Sequence, residues 1–300
     1  DAENGGELMQ DLLQQLLNGL SQGSIYALIA VGYTMIYGII QLINFAHGDV
    51  IMVGAYVALG AALMGFGFIP SLALAMLTCA ILGVVIERVA YRKVRPVSRL
   101  AALTSAIGVS LFLEYIMMYF LGADIRTYPP GILAERTYSL GGVIITNKDL
   151  LVLGTTLVLV IILQYIIFRT RTGKAMRAVS FDGQAAQLMG VNVNHTVAIT
   201  FFIGSGMAAA AGMLYGIYFN SVQPLMGLMP GLKAFIAAVL GGIGSVPGAM
   251  LGGILLGMTE SLVAGFGGSM YRDAVAFIIL ILILLIRPTG LLGKGVQEKV

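Results

Sequence analysis

Long apolar stretches separated by short polar segments dominate this chain. A helix needs about 20 apolar residues to cross the hydrocarbon core of a bilayer. Runs of that kind occupy 19–42, 46–64, 70–88, 100–121, 149–168, 196–219 and 272–287, and a further pair lies at 232–246 and 248–266. None alternates with a period of two, and all exceed the length of a barrel strand, so helices are expected and a β-barrel is not. The pattern predicts an all-α integral membrane protein, a polytopic bundle of about eight transmembrane helices forming one domain over residues 1–300.

Prolines support these boundaries. Pro70, Pro96, Pro129, Pro130, Pro224, Pro230 and Pro288 fall between the runs or at their ends, where helices stop. Pro247 instead lies within Gly241-Gly-Ile-Gly-Ser-Val-Pro-Gly248, inside an apolar stretch, and predicts a broken or re-entrant pair near 232–266. Ahead of the first run, Leu8, Met9, Leu12, Leu13, Leu16, Leu17 and Leu20 form one helical stripe, with Gln10, Asp11, Gln14, Gln15 and Asn18 opposite. Residues 8–18 therefore read as an amphipathic, interfacial start or as an extension of the first span. No basic residue precedes this stripe, unlike the pattern of a secretory signal peptide.

Composition narrows the class. Of 300 residues, 58% are hydrophobic and 10% charged, against about a quarter charged in soluble domains, which excludes a water-soluble enzyme and a disordered chain. The lone Cys79 excludes a disulfide framework, and two scattered histidines, His47 and His195, are too few for a metal site. The net charge of +3 matters less than its placement. The first basic residue is Arg88; Arg92, Lys93, Arg95 and Arg99 follow it, and Arg169, Arg171, Lys174 and Arg177 open a second cluster. The excess of Lys and Arg on cytoplasmic loops predicts that 88–99 and 169–195 face the cytoplasm and 122–147 the outside. The N-terminus is then outside, and Arg287, Lys294 and Lys299 put the C-terminus inside.

Glycine, at 40 residues, is abundant. Helices in lipid associate where small residues let backbones approach. Gly204, Ala208, Gly212 and Gly216 recur every fourth position, as do Ala249, Gly253, Gly257, Ser261 and Gly265, and Ala46, Gly54, Ala58 and Ala62 share a third face. Close packing is the simplest use of such stripes. Polar groups within the runs cost about 2.5–3.5 kcal/mol each at the bilayer centre and need a reason. Asn44 and His47 share a face of Ile43-Asn-Phe-Ala-His-Gly-Asp49, either as a hydrogen-bonded turn on the cytoplasmic side or as a gate or pathway element. With Gly242, Gly244, Ser245 and Pro247 they are the candidate substrate path. Glu114 and Glu260 are intramembrane carboxylates, suited to relay protons, to bind cations, to accept hydrogen bonds from a neighbouring helix or to pair with Lys233.

No Gly-x4-Gly-Lys-Ser/Thr occurs, so the chain has no phosphate cradle of that kind, and no catalytic constellation is visible. The basic loops are too short for nucleic-acid binding.

The segment Asp182-Gly-Gln184-Ala185-Ala186-Gln-Leu-Met-Gly190 resembles the Glu-Ala-Ala-x3-Gly loop of bacterial ABC importer permeases, with Gln184 in the usual acidic position. Asn18-Gly-Leu-Ser-Gln-Gly-Ser-Ile-Tyr-Ala-Leu28, Ile43 to Asp49, Glu87-Arg-Val-Ala-Tyr-Arg-Lys-Val-Arg-Pro96, Leu240 to Gly253 and Arg287-Pro-Thr-Gly290 join it in order. Over residues 12–293 the chain resembles the shorter of the two homologous permeases of branched-chain amino acid ABC importers. That resemblance implies a multi-pass permease of the bacterial inner membrane, carrying leucine, isoleucine, valine or related neutral amino acids by alternating access. It implies a heterodimer with a second permease, two cytoplasmic ABC ATPases that use the ATP, and an extracytoplasmic binding protein. It also makes 169–195 the ATPase-coupling loop, with no cofactor bound by this chain. Urea, amides or other small polar solutes are alternative cargoes, and a proton-coupled secondary transporter is the rival class.

Overall fold

The computed structural model describes residues 2–95, 97–132 and 136–293; Pro96, Glu135, Lys294 and Lys299 lie outside them. Nine helices follow the apolar runs: α1 (Ala2–Ile40), α2 (His47–Leu63), α3 (Phe68–Ile86), α4 (Arg99–Leu121), α5 (Asn147–Arg169), α8 (Val193–Phe219), α9 (Leu228–Gly241), α10 (Val246–Val263) and α11 (Arg272–Ile286). Two more, α6 (Arg171–Phe181) and α7 (Gly183–Leu188), lie in the segment between α5 and α8. At 1.5 Å per residue, α2 with 17 residues and α9 with 14 are shorter than the roughly 30 Å hydrocarbon core. Both are apolar and largely buried, so they start within the bundle rather than at its surface.

The two ends of the bundle are fixed by contacts between distant segments. At one end, Arg95 donates to Asn194 at 2.8 Å, Ser180 Oγ to the Gly38 carbonyl at 2.5 Å, and the amides of Leu291 and Leu292 to the Leu240 and Gly241 carbonyls, both at 2.9 Å. This basic end gathers 88–95, α6, α7, the α9–α10 turn and the chain's last described residues. At the other end, Arg126 pairs with Val222 in an antiparallel bridge, and Tyr128 OH donates to the Ala55 carbonyl at 2.8 Å. That apolar-flanked end also carries a hairpin, β1 (Thr137–Leu140) and β2 (Val143–Thr146), which the hydropathy pattern did not predict. Gly141 and Gly142 supply its positive φ values of 60° and 89°, a turn signal between β-favouring residues.

The packing repeats itself with inverted direction. α1 lies along α10 as α8 lies along α3; α2 rests on α8 as α9 rests on α1; α2 reaches α4 as α9 reaches α11. Exchanging α1–α4 for α8–α11 thus preserves the set of neighbours. α1 ends at the basic end and α8 begins there, so the two halves are oppositely oriented, an arrangement common in transporters. The small-residue stripes make it possible. A Cβ on Gly23 would come within 2.8 Å of Ile254 Cα, and one on Gly32 within 2.9 Å of the Gly204 carbonyl, so these helices touch through their backbones.

The start of α1 is an extension of the first span. Leu8, Met9 and Leu13 point outward, whereas Gln14 both donates to and accepts from the Ile144 backbone, at 3.0 and 2.7 Å, and Gln15 accepts from Ser261 Oγ at 3.0 Å. Leu12, Leu16, Leu17 and Leu20 are half-buried, so the stripe is shared between the bundle and its surroundings.

Candidate translocation site and coupling helix

Two interruptions meet inside the bundle. After α1, residues 41–46 are non-helical, with Gln41 at φ 52°, and turn the chain back toward the interior. Asn44 is held there by Tyr91, whose OH donates to its Oδ1 at 3.0 Å, and both side chains are buried. α2 then starts at His47. Asp49, in its first turn, accepts from Ser110 Oγ at 2.5 Å, and Ser110 is midway along α4. The second interruption runs from Asn220, left-handed at φ 49°, to Gly227, after which α9 starts. Gly48 and Gly227 are packed against each other, and a Cβ on either would collide with the other's carbonyl oxygen. The N-termini of α2 and α9 therefore meet at mid-depth, the ends of helices that carry partial positive charge.

A cavity of about 120 Å³ lies at this junction. Ile43, Phe45, Leu228, Leu232 and Phe235 form its apolar wall, and Tyr33, Asp49 and Ser110 are its polar groups. Glu114, one turn beyond Ser110 on α4, interacts with Asp49. His47 is fully buried behind this wall, edge-on to Tyr33 at 5.1 Å and against Gly32, and neither ring nitrogen has a hydrogen-bond partner among the described residues.

The other half of the expected path lies elsewhere. Gly242 and Gly244, at φ 104° and 91°, turn the chain tightly at the basic end, where Gly244 N–H donates to Thr34 Oγ1 at 2.8 Å and Gly242 packs against Gly290. Ser245 caps α10 through the Gly248 amide at 3.2 Å, and Pro247 occupies its first turn, where its missing N–H costs nothing. The pair is broken, but its glycine-rich break joins two helices at the bundle end. The structure keeps Asn44 and His47 beside the cavity and sets Gly242, Gly244, Ser245 and Pro247 apart from it. Residues 220–227 supply the interruption that reaches the interior. Pro224 and Gly227 were the available signal.

Glu260 is structural. Its carboxylate accepts from Gln22 at 2.7 Å and from Tyr26 and Arg272 at 3.0 Å each, and Lys233 lies 2.9 Å away. Lys233 also pairs with Asp273 at 2.6 Å. This network, buried at Glu260 and Lys233, ties α9 to α1, α10 and α11. Glu87 is likewise buried, at the start of the five-residue π-helical turn 87–91, and paired with Arg92 at 2.7 Å.

At the basic end, Asp182 ends α6 and caps α7, accepting from the Gln184 and Ala185 amides at 2.9 Å each. Ala186 is buried against the body of the protein, while Phe181 is 90% exposed, Leu188 89% and Met189 84%. Gly190 leaves the helix at φ 86°, a conformation favouring glycine. The short helix thus leaves apolar side chains bare at the basic end.

The chain belongs to the family of the branched-chain amino acid transport system / permease component, whose characteristic sequence it matches over residues 15–284. It is 47% identical to the high-affinity branched-chain amino acid transport system permease protein BraD of Pseudomonas aeruginosa, with 96% of this chain and 98% of the relative covered. It is 44% identical to the permease protein LivH of Escherichia coli K12, covering 96% and 97%. A probable branched-chain amino acid transport permease of Methanocaldococcus jannaschii is 28% identical over 95% of both chains. The protein is thus a multi-pass membrane permease subunit of the ABC transporter class.

Proposed function

We propose that this chain carries leucine, isoleucine, valine or closely related neutral amino acids inward as one permease of an ATP-driven importer. The observation that carries the reading is the junction of two interrupted helices over a mid-depth cavity with an aliphatic and aromatic wall. Helix N-termini meet the negative end of a zwitterion, and apolar side chains suit an aliphatic one. The homologues named above, whole-length relatives in branched-chain amino acid transport, support the same cargo.

The rest of the assembly is what membership of this family implies. ATP is bound and hydrolysed by two ABC ATPases docked on α7, where the exposed Leu188 and Met189 support the docking. A second, homologous permease completes a heterodimer, and an extracytoplasmic binding protein delivers substrate to the end formed by 122–147 and 220–226. The basic end faces the cytoplasm and the chain resides in the bacterial inner membrane, the N-terminus outside and the C-terminus inside. ATP-driven movement reaches the bundle through α7 and α6, whose Ser180 touches the end of α1. The proposal is tested by purifying the chain with the proteins that accompany it and identifying the ligand retained by the binding protein. Two ATPases, a second permease and a bound branched-chain amino acid are expected; a different ligand class would overturn the cargo assignment.

A further inference from the structure

The cavity between α2 and α9 holds a buried acid with no cation to answer it. Asp49 lines the cavity and is 3% exposed. Its hydrogen-bond donor is the neutral Ser110, and among the described residues no Lys, Arg or His pairs with it. A place in the first turn of α2 suits a carboxylate, because the helix dipole favours negative charge there. That alone does not account for Glu114, a second carboxylate set toward the first from α4. Two acids facing each other at mid-depth are unfavourable unless a proton or a cation stands with them. Glu260 and Glu87, both fully buried, are answered by Lys233 and Arg272 and by Arg92 respectively. The contrast marks Asp49 as an acid kept open toward the cavity.

Resting on the reading of this cavity as the amino acid path, we propose that Asp49, backed by Ser110 and Glu114, is the subsite for the α-ammonium group of the substrate in transit. The opposed N-termini at Gly48 and Leu228 take the carboxylate, and Leu228, Leu232 and Phe235 take the aliphatic side chain, with Phe45 at the exposed rim. The subsite recognises the features common to neutral aliphatic amino acids and rejects solutes without a cationic nitrogen. A carboxylic acid of the same carbon skeleton would leave Asp49 unanswered, and an apolar wall gives no compensation.

The test uses the intact transporter complex in lipid nanodiscs without its binding protein, so that the permease itself is read. Phe45→Cys places a thiol on the cavity wall, while the native Cys79 is buried. Maleimide labelling of that thiol is followed against increasing leucine, leucinamide, which keeps the ammonium only, and 4-methylpentanoate, which keeps the carboxylate only. Leucine and leucinamide should protect, and 4-methylpentanoate should not. Adding Asp49→Asn should raise the leucine needed for half-protection by about tenfold or more, as loss of a charged hydrogen bond implies. Asp49→Glu, which keeps the charge, should restore protection and show that the Asn variant is folded. Equal protection by 4-methylpentanoate, or unchanged protection in Asp49→Asn, overturns the subsite; the second result would mean that Asp49 carries only a proton. If no compound protects while the wild-type complex with its binding protein still imports leucine, the subsite fails and the transport function stands.

Discussion

Gly48 and Gly227 lie back to back at the first turns of α2 and α9, each where a Cβ would strike the other's carbonyl oxygen. Neither residue has an unusual backbone conformation to explain it; the requirement is approach distance. The contact joins the two halves of the inverted arrangement at the depth of the cavity, so it sets how closely the helix N-termini converge.

Replacing either glycine with valine should therefore force the two starts apart. A Cβ at Gly48 falls 2.7 Å from the Gly227 oxygen, which is backbone and cannot swing away. A destabilisation of about 1–3 kcal/mol is expected, with uptake reduced tenfold or more. Gly60→Ala, where nothing lies within 4 Å, should leave both unchanged. Melting curves of the purified complex and leucine uptake check the pair.

Lys233 holds α9 in place through Glu260 and Asp273. Lys233→Met should cost about 1–3 kcal/mol, because it removes one of the two cations on the buried Glu260 carboxylate while Arg272 remains. Adding Glu260→Gln should recover a good part of that loss. Thermal denaturation of the single and double variants measures it, and equal melting temperatures for both would contradict the structural role.

The coupling helix gives an opposite signature. Leu188→Asp and Met189→Asp change side chains that are almost fully exposed, so folding should be retained. Docking should not be. Binding-protein-stimulated ATP hydrolysis and uptake should fall together by tenfold or more, with melting behaviour unchanged. Normal uptake and stimulation in these variants would remove α7 from the docking role.

Orientation is checked by single cysteines. Thr137→Cys, on the hairpin, should label in intact cells with an impermeant maleimide, and Gln187→Cys, on α7, only after the membrane is opened. The reverse pattern would invert the bundle.

Much of this architecture could be read from the chain. Nine apolar runs became nine helices, and the fourfold spacing of small residues in α8 and α10 became backbone contacts with α1 and α2. The Asp182–Gly190 segment became an exposed capped helix, since a side-chain cap and a terminal glycine are local signals. Depth was not legible. Gly242–Pro247 and Asn220–Gly227 are both Gly/Pro-containing interruptions, and only the packing of α9 on α1 tells which one lies at the bundle end and which reaches inside. The inverted arrangement was equally hidden, because it is a symmetry of neighbours and leaves no period in the residues. Asp49 was noticed for its motif, but its openness depends on α4 bringing Ser110 and Glu114 to it from 60 residues away.

The central claim, that this permease imports branched-chain amino acids at the expense of ATP hydrolysed by partners, is tested most directly by uptake into proteoliposomes. The complete complex is reconstituted with ATP inside the vesicles, and radiolabelled leucine and binding protein are added outside. Uptake should require hydrolysable ATP and the ATPase subunits, and it should persist when a protonophore collapses the proton gradient. Leucine uptake that continues without the ATPases and disappears with the protonophore would contradict the account.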